Sequence, residues 1–475
     1  MQHTLKPMAA SVSLVALAAC ETTGAGSTAI TETVQTSLGT VRGEIVTEGD
    51  VSAYIYKGIP YAAPPIGSLR WKAPQPPAAW AGTRDATEWP NRCPQGESSM
   101  GAGGPISEDC LYVNVVTTAE TADAGQPVMV FFHGGGLTSG TGNSTTYNHP
   151  KLPSQGVVTV SVNSRLGPIG YLAHPELTAE GPGSGNFGTM DLTASLEWVK
   201  NNISAFGGDP DNVTIFGESG GGYKVISQMS TPAASDLFDK AIVQSGSALV
   251  SSDMARAEAG GKSLQASLGA SNLAEMRAAS WQDVIAATEG AEFRPSIVVD
   301  GSVIPAPVRE QFETGTHNKV PLIVGANAGE SMLQTSVPDM ANVHATSGGD
   351  TWTYNFTHLP IGWKEEEGCV AFHGLELTYV FGAVPNGLES RTTQFLARGG
   401  GCSIGVPEHD EVDFKVADEA SKIWASFAEN GDPSVPGLVD WPQYSESNDV
   451  YLDIGDPMTV KSGIAASYTA PPERD

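Results

Sequence analysis

Val213-Thr214-Ile215-Phe216-Gly217-Glu218-Ser219-Gly220-Gly221-Gly222-Tyr223 is the stretch that decides how this 475-residue chain is read. VTIF is a short β-branched run without polar alternation, which predicts a strand buried on both faces. Residues 223–229 suit a helix, so the G-x-S-x-G at 217–221 falls in a strand-to-helix turn. Such a turn holds Ser219 in a strained backbone conformation and admits only residues without a Cβ beside it, which gives Gly217 and Gly221 a mechanical task. It points the Ser219 hydroxyl out of the sheet and leaves the Gly220 N–H at a helix N-terminus, where developing negative charge is favoured. In a chain with 55 glycines the pentapeptide alone carries little weight; the strand before it and the helix after it make the case.

Upstream, His133-Gly134-Gly135-Gly136 directly follows the run PVMVFF at 127–132. Three glycines there let backbone N–H groups converge on one point, as an oxyanion requires. Further buried runs occur at 157–162 (VVTVSV), 241–243 (AIV) and 321–324 (PLIV), alternating with segments of helical period. At 190–203, Leu192, Leu196, Val199 and Ile203 recur at helical spacing, and at 421–430 Ile423, Trp424 and Phe427 share a side before a stop at Gly431. Strands and helices in alternation predict an α/β protein with a large, mostly parallel central sheet flanked by helices. The Pro-rich stretch 60–77 reads as an ordered loop, and no repeat or internal linker divides the chain.

Asp and Glu number 53 against 25 Lys and Arg, a net charge of -28 that argues against nucleic acid or any other polyanion as a partner. Residues 1–20 read as an export signal, with Lys6 ahead of an apolar run too short to span a bilayer. The run ends in Leu17-Ala18-Ala19-Cys20, similar to the lipobox of bacterial lipoproteins, whose cysteine is acylated; an ordinary cleavage site is the alternative. Residues 21–32 read as a tether and 33–475 as one catalytic domain with cap insertions at roughly 250–320 and 331–372. The expected location is the periplasm, free or anchored to the outer membrane, or else outside the cell. Five cysteines less Cys20 leave four, an even number suited to two disulfides in an oxidising compartment. No cluster has metal-ligand spacing, and neither metal nor cofactor is expected.

An ordered series of further motifs resembles the type B carboxylesterases, the group of cholinesterases and para-nitrobenzyl esterases. It runs through Gly58-Ile59-Pro60-Tyr61-Ala62, Leu69-Arg70, Ser107-Glu108-Asp109-Cys110-Leu111, Asn163-Ser164-Arg165, Asn186-Phe187-Gly188 with Asp191, Phe206-Gly207-Gly208-Asp209-Pro210, Gly431-Asp432-Pro433 and Trp441-Pro442. The resemblance implies the α/β-hydrolase fold and roles that spacing alone could not assign. Ser219 becomes the nucleophile, His373 the base and Glu330 the acid that orients it. Gly135, Gly136 and Gly220 become the oxyanion donors, although relatives more often carry alanine after the serine. Cys93 with Cys110 matches a disulfide of the family; Cys369 with Cys402 follows by elimination, two free thiols being the alternative. Arg70 with Glu108 and Arg165 with Asp191 resemble structural ion pairs. Glu218, beside the nucleophile, is expected to point to the opposite side and support the turn from behind.

The expected function is hydrolysis of a small or medium-sized carboxylic ester through an acyl-enzyme. An amide, lactone or thioester would pass through the same kind of tetrahedral intermediate, and a cholinesterase-like binding protein without catalysis is the remaining alternative. Only 43 positions separate Glu330 from His373, fewer than in typical relatives, which implies a reduced helical cap and a more open site. The run Glu365-Glu366-Glu367 near the histidine reads as a solvated loop, the alternative being a group of charges that disfavours anionic substrates.

Overall fold

Alternate residues of the run at 128–132 serve two different cores. Val128, Val130 and Phe132 join one buried cluster and Met129 and Phe131 another, as period-two side chains of a sheet covered on both faces must. A computed structural model describes residues 28–96, 103–333, 335–403 and 405–467. The lipobox-like Cys20, the export signal and most of the tether lie outside the described residues.

Eleven strands form the main sheet. They are β1 (Glu44–Glu48), β2 (Val51–Pro60), β3 (Tyr112–Thr117), β4 (Gln126–Phe132), β5 (Val158–Val162), β6 (Gly208–Glu218), β7 (Lys240–Gln244), β8 (Leu322–Asn327), β9 (Thr351–Phe356), β10 (Val450–Ile454) and β11 (Thr459–Ser462). Their spatial order is β11-β10-β9-β8-β7-β6-β4-β5-β3-β2-β1. Pairing is parallel from β5 through to β10 and antiparallel at both margins, so the sheet is mixed, with a parallel centre. The chain leaves β4 for β5 on one side and returns to β6 on the other. That reversal of winding opens a crevice at the carboxyl ends of the strands, where α/β proteins place their sites.

One face is covered by α1 (Phe187–Asn202) and α2 (Gly220–Met229), whose Leu192, Leu196, Val199, Val225 and Ile226 meet Val130 and Ile215. The helices α3 (Met254–Leu268), α4 (Leu273–Ala278) and α5 (Trp281–Ala286) stand apart and share a cluster of Leu264, Leu273, Met276 and Val284 with Ile169 and Phe187. The opposite face is covered by α6 (Glu376–Val380) and α7 (Glu411–Asn430), where Ile423, Trp424 and Phe427 pack on Phe131 and Phe216. A capping box of Asp410 and Asp413 starts α7, and Gly431 ends it with φ +74°.

The expected cap insertion at 331–372 needs correction. Its first part is the helix Ser336–Thr346, with Val337, Met340 and Ala341 in the core, followed by β9, paired in parallel with β8. Thr351-Trp352-Thr353-Tyr354-Asn355-Phe356 alternates polar and aromatic side chains, yet all six are buried, because helices cover both faces there. Among the described residues, no helix is long and apolar enough to cross a membrane.

Candidate active site

The elbow is built by close backbone contact. A Cβ on Gly221 would lie 1.9 Å from the Phe132 carbonyl oxygen, and one on Gly217 would lie 2.5 Å from the Gly221 carbonyl carbon. Both positions therefore require glycine for β6 to pass into α2 against the end of β4. Ser219 takes φ +58° and ψ -122°, a strained conformation held by its N–H donating to the Gln244 carbonyl at 2.8 Å. The serine is half-buried between buried Glu218 and Gly220.

Gly135 and Gly136 follow β4 with φ +93° and +63°. A Cβ on Gly220 would sit 2.1 to 2.4 Å from the oxygen, Cα and nitrogen of Gly136. The glycine-rich loop thus occupies the space that an alanine methyl would take, which accounts for the departure from the usual residue after the serine. Gly136 and Gly220 are thus in backbone contact, with Gly135 next to Gly136 in the loop.

Glu330 follows β8 and is 3% exposed. Its Oε2 accepts from the Asn327 N–H at 2.8 Å and from the Ser245 hydroxyl at 2.6 Å, and its Oε1 lies 2.5 Å from His373 Nδ1. Three partners fix the carboxylate and leave it one direction in which to hold the imidazole. The histidine loop is tied to the acid's loop as well: Gly329 N–H donates to Ala371 O at 2.9 Å, and Asn327 Nδ2 donates to Phe372 O at 2.6 Å.

The other imidazole nitrogen departs from expectation. His373 Nε2 lies 3.1 Å from Glu218 Oε1, so Glu218 faces the site rather than the opposite side of the chain. The reason is that β6 ends at Glu218, with its side chain buried on the same face as α6, beneath the histidine loop. Among the described residues no hydrogen bond is made to Ser219 Oγ, whose neighbour in sequence receives the imidazole instead.

A third buried carboxyl completes the surroundings. Glu376, on α6, accepts from Asn327 Nδ2 at 2.5 Å and Gln244 Nε2 at 3.2 Å. Burial, with Glu218 and Glu330 nearby, pushes its pKa up to about 8. Burial likewise raises Glu218 to about 7, against the pull of His373. For His373, burial opposes the charge, but Glu218, Glu330 and Glu376 overcome it and push the pKa up to about 10. Burial and neighbouring negative charge thus make Glu218 and Glu376 hold a proton more readily than free carboxyls, while the acids around His373 favour its charged form.

Sequence reasoning missed Ser245 and Glu376, which no local pattern marks. It also missed Lys224, 1% exposed on α2, whose Nζ donates to the His133 carbonyl at 2.9 Å beside the start of the glycine loop. Burial brings this amine down to about 7 and, with Lys224 adjacent, holds His133 well below the usual imidazole range. The expected ion pairs are present and buried: Arg70 Nε to Glu108 at 2.7 Å, and Arg165 to Asp191 at 2.8 and 2.6 Å. They tie the Pro-rich loop and α1 to the body, away from the reacting groups. Both disulfides, Cys93–Cys110 and Cys369–Cys402, are formed. Within the acidic run, Glu366 accepts from the Ser403 N–H at 2.7 Å and is thereby tied to the neighbouring loop.

A parallel-centred sheet with a strained serine, a glycine-rich loop and a carboxylate-held histidine at one edge defines an α/β hydrolase. Residues 30–337 and 328–470 match the model of the carboxylesterase family. Fumonisin B1 esterase of Sphingopyxis macrogoltabida is 32% identical over 91% of this chain and 88% of its own length. Para-nitrobenzyl esterase of Bacillus subtilis is 32% identical over 90% of this chain and 96% of its own. The solved structure of a thermophilic PNB esterase superposes with a TM-score of 0.78 at 30% identity, covering 90% of this chain and 97% of that one. The chain belongs to the carboxylesterase family, and it is an enzyme that hydrolyses carboxylic esters of small molecules.

Proposed function

We propose that Ser219, His373 and Glu330 carry out this hydrolysis through an acyl-enzyme, on a small or medium-sized ester. The observation that carries the reading is the placement of His373, with Nδ1 on Glu330 and Nε2 on Glu218, the residue that precedes Ser219 at the elbow. In the reacting state Nε2 exchanges Glu218 for the Ser219 hydroxyl, takes its proton as Oγ attacks the carbonyl carbon, and returns that proton to the leaving alcohol. Water then adds to the acyl-enzyme by the same relay and releases the acid. The N–H groups of Gly135, Gly136 and Gly220 stabilise the oxyanion, where one donor is typically worth about 2.7–4 kcal/mol.

Ser219→Ala is expected to abolish turnover of a short-chain aryl ester while folding persists, and substantial hydrolysis by the pure variant would overturn the assignment. Labelling of the wild type by a fluorophosphonate, lost in that variant, separates a catalyst from a binding protein on the same scaffold. The short stretch from Glu330 to His373 favours acceptance of bulky or polar esters. A graded series of acyl and alcohol sizes tests this, and a strict small-substrate cutoff overturns it.

Export to an oxidising compartment, with Cys20 as a lipid attachment point, is supported by the apolar run of residues 8–19 and by the two disulfides. Cys20→Ser is expected to move the protein from the membrane to the soluble fraction.

A further inference from the structure

One helical turn past the nucleophile, Tyr223 of α2 forms a wall of a cavity of about 260 Å³. Its N–H donates to the Ser219 carbonyl at 3.2 Å, and its hydroxyl donates to the Val250 carbonyl at 2.6 Å, so nucleophile and cavity are parts of one rigid piece. Two guanidinium groups line the same cavity, Arg256 from the first turn of α3 and Arg294 from the loop after α5. The chain has 53 acidic residues for 25 basic ones, and Arg42, Arg70, Arg165, Arg277 and Arg309 each hold a carboxylate. Among the described residues, Arg256 and Arg294 hold none. Arg294 is braced by donating through Nη1 to the carbonyl of buried Phe293 at 2.6 Å. Arg256 is a cation in the first turn of a helix, where the dipole disfavours it, so helix stability does not explain its position. Glu292 is the one acid in the lining.

We propose that this cavity binds a free carboxylate carried by the ester substrate, held jointly by Arg256 and Arg294. The proposal rests on the Ser219 reading and names a substrate class for it: half-esters of dicarboxylic or polycarboxylic acids, or esters of hydroxy acids, with the carboxylate several bonds from the scissile carbonyl. Ser219 and Tyr223 stand one helical turn, about 5.4 Å, apart along α2. Planar guanidinium groups suit a carboxylate, which can accept two parallel hydrogen bonds from each. The overall charge of -28 would repel such a substrate at long range, so local pairing at this cavity has to supply the selectivity.

The test compares kcat/KM for two matched pairs. 4-Nitrophenyl hydrogen adipate against 4-nitrophenyl hexanoate places the carboxylate on the acyl side; 4-carboxyphenyl butyrate against 4-methylphenyl butyrate places it on the alcohol side. In the Arg256→Gln/Arg294→Gln double variant the charged-to-neutral ratio is expected to fall about tenfold in one pair, and in Glu292→Gln it is expected to rise in the same pair. A ratio that changes less than threefold in both pairs, or rates that fall in parallel, overturns the proposal. Failure of the Ser219 reading looks different: Ser219→Ala would then hydrolyse both members of each pair.

Discussion

Glu218 Oε1 stands 3.1 Å from His373 Nε2, the nitrogen that has to accept the Ser219 proton. A carboxylate there favours the imidazolium, the form that cannot act as base, and this is why Glu218 contributes to the raised His373 pKa. Removing that negative charge must lower the histidine pKa, so Glu218→Gln is expected to shift the acid limb of the kcat/KM profile to lower pH by about one unit or more. The pH–rate profile of a neutral ester measures it, and an unmoved acid limb refutes the coupling. Lys224 poses the opposite problem, a buried amine with a carbonyl and an imidazole for neighbours but no acid. Its folded pKa of about 7 lies below the ordinary 10.5, so the unfolded chain binds more protons between those values and stability rises with pH across that window. Lys224→Met lacks this term. The stability of the wild type relative to the variant is expected to grow by roughly 1 kcal/mol per pH unit between pH 7 and 10. Urea unfolding of both proteins at the two ends of the window checks the difference.

At the scale of elements, the glycine loop and the start of α2 behave as one piece, because Gly136 occupies the space a methyl group on residue 220 would need. Gly220→Ala must push the loop outward and misalign its N–H groups. The expected result is a kcat lower by about tenfold or more with a smaller change in unfolding free energy, since the elbow glycines 217 and 221 are untouched. A variant with wild-type kcat shows that the loop can yield without cost. This contact also marks the limit of what could be read from the sequence. The elbow and the glycine loop were legible because each is a run of adjacent residues whose strand, turn and helix signals agree. Glu330 and His373 became legible only through family motifs, since nothing near either residue distinguishes it from a surface loop. Ser245 and Glu376 stayed hidden, because their partners Glu330 and Gln244 lie 85 and 132 positions away and the bonds exist only once β7, β8 and α6 are assembled. Glu218 was placed on the wrong side because the direction of a strand's last side chain depends on which loop closes over it. β9 was missed because its alternating pattern suggests one solvated face, whereas helices bury both.

For the molecule as a whole, an excess of acids strong enough to give -28 repels itself on compaction, and covalent links offset part of that cost. Cys369–Cys402 is placed where this matters most for function. Cys369 is four residues before His373; between them, the Val370 N–H donates to Gly400 O at 2.9 Å and the Ala371 carbonyl accepts from Gly329 at 2.9 Å. The segment carrying the imidazole is thus strung between the bridge on one side and the loop of Glu330 on the other. Closing a loop of 33 residues is worth about 3–4 kcal/mol by chain entropy, against about 3 kcal/mol for the 17-residue loop of Cys93–Cys110. The two bridges are similar in that respect and differ in what they hold. Cys369→Ser/Cys402→Ser is expected to lose stability of that order and also to lower kcat at temperatures where the protein remains folded. Cys93→Ser/Cys110→Ser is expected to lower stability by a similar amount with kcat near wild type under the same conditions. Denaturant unfolding and initial rates on both double variants decide the matter: equal effects on kcat would show that His373 is held in place by Glu330 and the backbone bonds alone.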